Sequence, residues 1–283
     1  MNYRTGAVQS ADGTSIPHRV FGEHGPPIVL VHGGLQAAQN FRRLAEHLSA
    51  HYTVYVPDRR GRRPQTPTGQ GYGLAREGED LDALMRAVGA RHVFGLSSGA
   101  TIALYTALQF PGTEKLALYE PPLTIDGADP AAWVSRYQRA LDAGHQALAL
   151  TEIIRGTGGR EYWTRLPRVV LAPLLRMGIE IEAKLVSGGD IAIKDLIPTM
   201  RFDSIVQHES IALVNPRIAE LGSDVLLVGG AKSAEALRRG LDSIAARLPS
   251  AQRVELAGVG HIAADNRGTP DKVARLLDEF FGA

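Results

Sequence analysis

Two residues of this chain have the neighbours that nucleophilic catalysis needs. Ser97 sits in Gly95-Leu96-Ser97-Ser98-Gly99, between an apolar run at 93–96 and a helical pattern at 98–109. A serine on a tight strand-to-helix turn has an exposed hydroxyl, and the helix N-terminus behind it favours developing negative charge. The flanking glycines remove side chains where such a turn crowds the backbone. His261 stands in Gly258-Val259-Gly260-His261, just after the last strand pattern. An imidazole that titrates near neutrality can take the serine proton and return it. A plain glycine-rich turn would account for the same letters at 95–99, but it would not require the strand before it and the helix after it.

A third segment, His32-Gly33-Gly34-Leu35, closes an earlier apolar run. Glycine backbone at such a place can aim an N–H at an oxyanion. The expected donors are the N–H groups of Gly34 and Ser98. His32 is expected to hold its loop by hydrogen bonds rather than to act as the base. The histidines at 18, 24, 47, 51, 92, 145 and 208 lack any comparable setting.

The elements that must position these residues follow a regular punctuation. Residues 3–9 and 14–21 alternate around Ala11-Asp12-Gly13, which predicts a hairpin. Short apolar runs at 28–31, 53–56, 93–96, 115–119, 225–228 and 253–256 predict buried strands. Between them, helical spacing appears at 39–49, 74–89, 98–109, 234–247 and 270–281. Alternating strands and helices predict an α/β fold, a mostly parallel central sheet with helices on both faces. From 123 to 219 the rhythm changes to helices alone, rich in alanine, leucine and arginine. The expected organisation is a core at 1–122 and 220–283, with 123–219 inserted as a helical cap or lid.

With His32-Gly33-Gly34, Asp58-Arg59-Arg60-Gly61-Arg62, Gly95 to Gly99, Tyr119-Glu120-Pro121-Pro122 and Gly258 to Ile262 in order, the chain resembles an α/β-hydrolase with a helical cap. The resemblance runs from about residue 10 to the C-terminus. It implies a nucleophile, acid and histidine in the chain order Ser, Asp or Glu, His. Ser97 and His261 carry over directly. Serine at 97 sets the chain apart from dehalogenase and epoxide-hydrolase members, which use aspartate there.

The acid departs from the family pattern. After the strand that follows the cap, the sequence reads Val228-Gly229-Gly230-Ala231-Lys232-Ser233-Ala234-Glu235, with Lys232 or Ser233 where an aspartate is expected. Glu120, directly after strand 115–119, is the first candidate, because some dehalogenases place their acid there. Glu235 is the alternative acid, although a glutamate in a first helical turn is favoured by the helix dipole alone. A third possibility is no working acid, which lowers kcat by about 10⁴-fold.

Composition bounds the rest. The 283 residues are 44% hydrophobic and 22% charged, ordinary for a globular chain, with 31 basic against 30 acidic residues and a formal charge of +1. That balance gives no general attraction to nucleic acid or to anionic membrane. There is no cysteine, so disulfides, thiolate metal sites and a cysteine nucleophile are excluded. No run approaches the ~18 apolar residues of a membrane span, and the N-terminus lacks a signal-peptide core. The expectation is a cytoplasmic protein with no nucleic-acid or membrane partner, and with an oligomeric state that the sequence leaves open. No H-E-x-x-H metal motif or phosphate loop occurs, and no cofactor is expected. Arg59, Arg60, Arg62 and Arg63 are expected to be tied by ion pairs to Asp58, with attraction of an anionic substrate as the other reading. In the cap, Trp133, Tyr137, Tyr162, Trp163, Met177, Met200 and Phe202 are candidates for an acyl pocket or for cap core.

The function these residues predict is hydrolysis of a carboxylic ester or thioester by a Ser97–Glu120–His261 triad, on a small-molecule substrate. The alternatives are a non-hydrolytic member of the fold, such as a ligand-binding protein, cyclase or lyase, and a cofactor-free perhydrolase. The non-hydrolytic reading is motivated by the vacant acid position after strand 225–228.

Overall fold

The computed structural model describes residues 3–126, 131–157 and 166–282. Eight strands form one sheet: β1 (Arg4–Gln9), β2 (Ser15–Phe21), β3 (Pro27–Val31), β4 (Thr53–Pro57), β5 (His92–Leu96), β6 (Lys115–Tyr119), β7 (Asp224–Gly230) and β8 (Gln252–Leu256). Their order is β1-β2-β4-β3-β5-β6-β7-β8. The β1–β2 and β2–β4 pairs are antiparallel and all other pairs are parallel. This is the mostly parallel α/β sheet that the sequence pattern predicts, in the α/β-hydrolase fold that the resemblance implies.

Alternation along β3 shows why the central strands read as continuous apolar runs. Ile28 and Leu30 pack with Phe41, Leu44, Leu277 and Phe281 on one face of the sheet. Val29 and Val31 pack with Leu81, Leu84, Leu241 and Ile244 on the other. Successive side chains of a strand point to opposite faces, so a strand covered on both sides must be apolar throughout. The covering helices are α1 (Arg42–Leu48) and α10 (Pro270–Gly282) on the first face. On the second lie α2 (Leu74–Val88), α3 (Ser98–Gln109) and α9 (Glu235–Arg247).

Between β6 and β7 the described chain forms only helices: α4 (Val134–Asp142), α5 (Gln146–Thr157), α6 (Arg168–Leu185), the single turn α7 (Ile193–Leu196) and α8 (Met200–Leu213), with short 3₁₀ turns around α8. Trp133, Tyr137, Leu150, Ile153, Ile179 and Met200 make a separate apolar cluster for α4 to α6. The packing seam does not fall at 219, where composition places it. Val206 and Val214 at α8, and Ile218 just after it, belong to the main core beside α3.

Register is what matters for the site. Leu96 pairs with Tyr119, and Tyr119 pairs with Val228. The next residues, Ser97, Glu120 and Gly229, therefore emerge side by side at the C-terminal edge of the sheet. The Ser97 N–H donates to the Tyr119 carbonyl at 2.8 Å, and the Glu120 N–H to the Val228 carbonyl at 3.1 Å.

Candidate active site

Ser97 occupies the turn between β5 and α3 with φ 56° and ψ −125°. A non-glycine residue holds that conformation only when its surroundings enforce it. The glycines at 95 and 99 are part of that enforcement. A Cβ on Gly95 would lie 2.5 Å from the Cα of Ala100, and one on Gly99 would lie 2.3 Å from the Val31 carbonyl oxygen. Both obstructions are backbone, so helix α3 can pack this closely on β5 and on the end of β3 only with glycine at these positions. Leu35 (φ 55°) and Glu120 (φ 46°) are also non-glycine residues with positive φ. Three loops at this edge thus share the strained backbone common at functional sites.

Glu120 is fully buried and engaged at both carboxylate oxygens. Its Oε2 lies 2.7 Å from Nδ1 of His261, and its Oε1 accepts the Gly230 N–H at 2.7 Å. An ionised carboxylate only accepts, so Nδ1 carries the proton in this contact and Nε2 is left as the basic nitrogen. The loop bearing His261 is fastened to the sheet. The Tyr119 hydroxyl donates to the Gly260 carbonyl at 2.7 Å, and the Lys232 N–H to the Val259 carbonyl at 2.9 Å. A Cβ on Gly230 would meet the Val259 carbonyl oxygen at 2.6 Å, so this loop comes close because residue 230 has no side chain.

Glu235, the alternative acid, is exposed at the first position of α9, and His261 pairs with Glu120 instead. Lys232 is exposed and Ser233 is buried. The vacant position after β7 has a local cause. Gly229 faces the Glu120 carboxylate, its would-be Cβ 3.3 Å from Oε1, and Gly230 donates to that same oxygen. The space is filled from the neighbouring strand.

Gly34 and Ser98 face the same opening as Ser97 and His261. The Gly33 N–H is taken by Gln36 Oε1 at 2.8 Å, and Gln36 is held in turn by Asp265 at 2.7 Å. That bond fixes the loop that presents Gly34. A Cβ on Gly34 would lie 2.5 Å from Sδ of Met200, which packs down from the start of α8. His32 is buried, its Nδ1 3.0 Å from the Gly33 carbonyl oxygen. Burial, with the positive charges of Arg62 and Arg59, pushes its pKa well below the ordinary histidine range. It is a neutral loop anchor, as the sequence predicts.

The arginine loop differs from its expected arrangement. Asp58 pairs with Arg63 at 2.6 Å and accepts the Ala38 N–H, but it takes none of the other three arginines. Arg59 pairs with Glu77 and Asp203, Arg60 with Asp80 and Asp12, and Arg62 with Asp203. These partners come from distant segments, because buried guanidinium groups must find carboxylates wherever the fold delivers them. The loop is therefore a buried ion-pair network rather than a free basic patch. Asp203 on α8 closes it. Burial alone would raise its pKa, but Arg62 and Arg59 outweigh that and hold it well below the carboxylate range. Asp203 also accepts the Ser98 hydroxyl at 2.6 Å, while Arg59 donates to that hydroxyl at 3.0 Å. Nothing in the sequence marks Asp203, because a lone aspartate in a helical run carries no spacing signal.

Two cavities open on Ser97 and His261. The smaller, about 130 Å³, is bounded by Gly34, Ser98, Trp133, Arg136, Asp203 and Gln207 among others. The larger, about 660 Å³, has Leu150, Ile153, Leu175, Ile191 and Leu196 in its walls. Of the aromatic and methionine candidates, Trp133 and Met200 line these cavities. Tyr137 is buried in the apolar cluster of α4 to α6, its hydroxyl bound to the Ile197 carbonyl; Met177 is exposed; Phe202 packs on Tyr72. Tyr162 and Trp163 lie outside the described residues. Among the described residues, no cluster could hold a metal ion and no helix is long and apolar enough to cross a membrane.

The fold and this edge of the sheet define a class, and the comparisons agree with it. The model of the alpha/beta hydrolase family matches residues 28–276, and the chain belongs to that family. It is 28% identical to a pimeloyl-[acyl-carrier protein] methyl ester esterase of Xanthomonas oryzae over 262 residues, 91% of this chain and 95% of that one. It is 31% identical to the N-formylmaleamate deformylase of Pseudomonas putida over 146 residues, 50% of this chain and 54% of that one. The chain thus spans about half the length of the first curated relatives it matches. The crystal structure of an alpha/beta hydrolase from Sphaerobacter thermophilus superposes with a TM-score of 0.72 at 28% identity, covering 98% of this chain and all of that one.

Proposed function

We propose that this protein is a serine hydrolase that cleaves a carboxylic ester or thioester through an acyl-enzyme. The observation that carries the proposal is the buried Glu120 carboxylate against Nδ1 of His261, one strand away from the strained Ser97 turn. In this reading Ser97 Oγ attacks the carbonyl carbon while its proton passes to Nε2 of His261. The oxyanion is held by the N–H groups of Gly34 and Ser98. Collapse of the adduct breaks the bond to the leaving oxygen or sulfur, which takes the proton from His261. Water, deprotonated by the same imidazole, then releases the acid and regenerates Ser97. Glu120 keeps the imidazole in the required tautomer and stabilises its charged form. Glu120 also answers the vacancy after β7 that motivates the non-hydrolytic alternative.

The two cavities suggest how a substrate divides. A long apolar arm fits the larger one. The smaller one has room for a short arm only. Helices α4 to α7 serve as the cap that shapes these cavities and excludes water. The relatives named as a methyl ester esterase and a deformylase support acyl-bond hydrolysis as the reaction class.

Labelling with a fluorophosphonate, followed by peptide mapping, tests this. Modification at Ser97 that disappears in His261→Ala is expected. A folded protein that neither labels nor turns over a small reporter ester would overturn the proposal.

A further inference from the structure

One carboxylate touches both residues whose N–H groups hold the oxyanion in the proposed reaction. Asp203, buried on α8, accepts the Ser98 hydroxyl at Oδ1, 2.6 Å away. The carbon of the same carboxyl lies 3.3 Å from the place a Cβ on Gly34 would occupy, so Asp203 packs directly on Gly34. Ser98 opens α3 and Gly34 lies in the loop after β3, so the two donors stand on separate pieces of chain. Gly34 has no side chain by which to be held. Asp203 and Met200, both from α8, occupy the space that a side chain there would take.

Arg59 completes the connection. Its Nη1 donates to the Ser98 hydroxyl at 3.0 Å, to Asp203 Oδ1 at 2.9 Å and to the His32 carbonyl at 3.3 Å. The start of α3, the end of β3 and α8 are thereby tied at one point. Arg62 donates to both Asp203 oxygens, at 2.9 and 2.8 Å. These ion pairs are complete without the Ser98 hydroxyl. What that hydroxyl adds is a fixed orientation for the residue that bears it. Charge is arranged to match. A bare carboxylate beside a developing oxyanion would oppose the reaction. Arg59 and Arg62 against Glu77 and Asp203 cancel, so Asp203 can hold the donors without repelling the charge they serve.

We infer that Asp203 is a positioning residue for the oxyanion hole, setting Ser98 through its hydroxyl and Gly34 by direct contact. This rests on the serine-hydrolase reading above. Helix α8 belongs to the chain between β6 and β7, so that segment contributes to the reaction as well as to the cavity walls.

The test compares a nitrophenyl ester with its thionoester, in which sulfur replaces the carbonyl oxygen and accepts hydrogen bonds poorly. Ser98→Ala keeps the backbone N–H and leaves Asp203 paired with Arg59 and Arg62, so it is expected to fold as the wild type does, read by circular dichroism. Its kcat on the ester is expected to fall about 10- to 100-fold with KM little changed, less than the outright loss of an oxyanion donor costs. Its preference for ester over thionoester is expected to shrink about 10-fold, a change that a packing role does not produce. Asp203→Asn is expected to act in the same direction, and the double variant to lose less than the product of the two single losses. If Asp203→Asn does not fold, Ser98→Ala decides alone. An active wild type whose Ser98→Ala variant keeps its kcat and its full ester preference, or is impaired only in KM, would overturn the positioning role and leave the hydrolase reading standing. A wild type that neither labels at Ser97 with a fluorophosphonate nor cleaves the ester would overturn both.

Discussion

Glu120 and His261 lie 141 residues apart in the chain, and their side chains meet at 2.7 Å at the carboxyl edge of the sheet. The pairing arises because β6 sits next to β7, which places Glu120 beside the two glycines that leave room for it. Replacing the carboxylate by an amide of the same shape allows the wrong imidazole tautomer. Glu120→Gln is therefore expected to lower kcat by about 10⁴-fold. Glu235→Gln, on the surface of α9, is expected to leave kcat unchanged. Steady-state hydrolysis of a nitrophenyl ester separates the two, and equal loss in both variants would remove Glu120 from the proposed triad.

Ser97 supplies the bond-forming atom in the proposed reaction. Ser97→Ala is expected to lower kcat by about 10⁶-fold while leaving the fold intact. The check is kcat together with the far-ultraviolet circular dichroism spectrum. Near-normal turnover in a folded variant would exclude the acyl-enzyme.

Gly99 tests the turn rather than the chemistry. An added Cβ would press on the backbone carbonyls of Val31 and His32, at 2.3 and 2.5 Å. Neither can move without separating α3 from β3. Gly99→Ala is expected to lose about 3 kcal/mol or more of stability, read by urea unfolding. Gly178→Ala, in open space on α6, is expected to be neutral or mildly stabilising.

The buried carboxylates make opposite demands on pH. Asp80 is buried, and although Arg60 pulls its pKa down, burial and the nearby Glu77 push it up to about 6. Its folded pKa is above the unfolded one, so ionising it costs stability. That cost is removed as pH falls from about 6 to about 4. Asp203 has the reverse sign. Its depressed pKa contributes stability above about pH 4, and this contribution is lost as pH falls below that. Asp80→Asn is expected to flatten the pH dependence of the unfolding free energy between about pH 4 and 6. Asp203→Asn, which leaves Arg59 and Arg62 facing a neutral group, is expected to lose about 3–5 kcal/mol near neutral pH. Urea unfolding across pH reads both, and an unchanged slope in Asp80→Asn would contradict the first.

Much of this was legible in the chain itself. The strands, the core helices and the Ser97 turn follow from periodicity and glycine placement, because buried parallel strands must be apolar on both faces and a tight turn must shed side chains. Glu120 is a candidate from its place after β6, but the sequence offers Glu235 equally, and strand order brings only Glu120 to His261. The partners of Arg59, Arg60 and Arg62 were not legible. Ion pairs between residues far apart in sequence leave no local spacing, and Asp203, which joins α8 to the Ser98 hydroxyl, is one aspartate among many.

The sequence by itself determined the alternation of strands and helices, the strand-to-helix turn at Ser97 and the loop that carries His261 after the last strand, since those features are encoded in local patterns. Tertiary structure alone decided which carboxylate meets His261 and which charges are cancelled inside the core. Each of these depends on which segments the folded sheet and helices bring together, and proximity in space is a property of register and packing rather than of any stretch of chain.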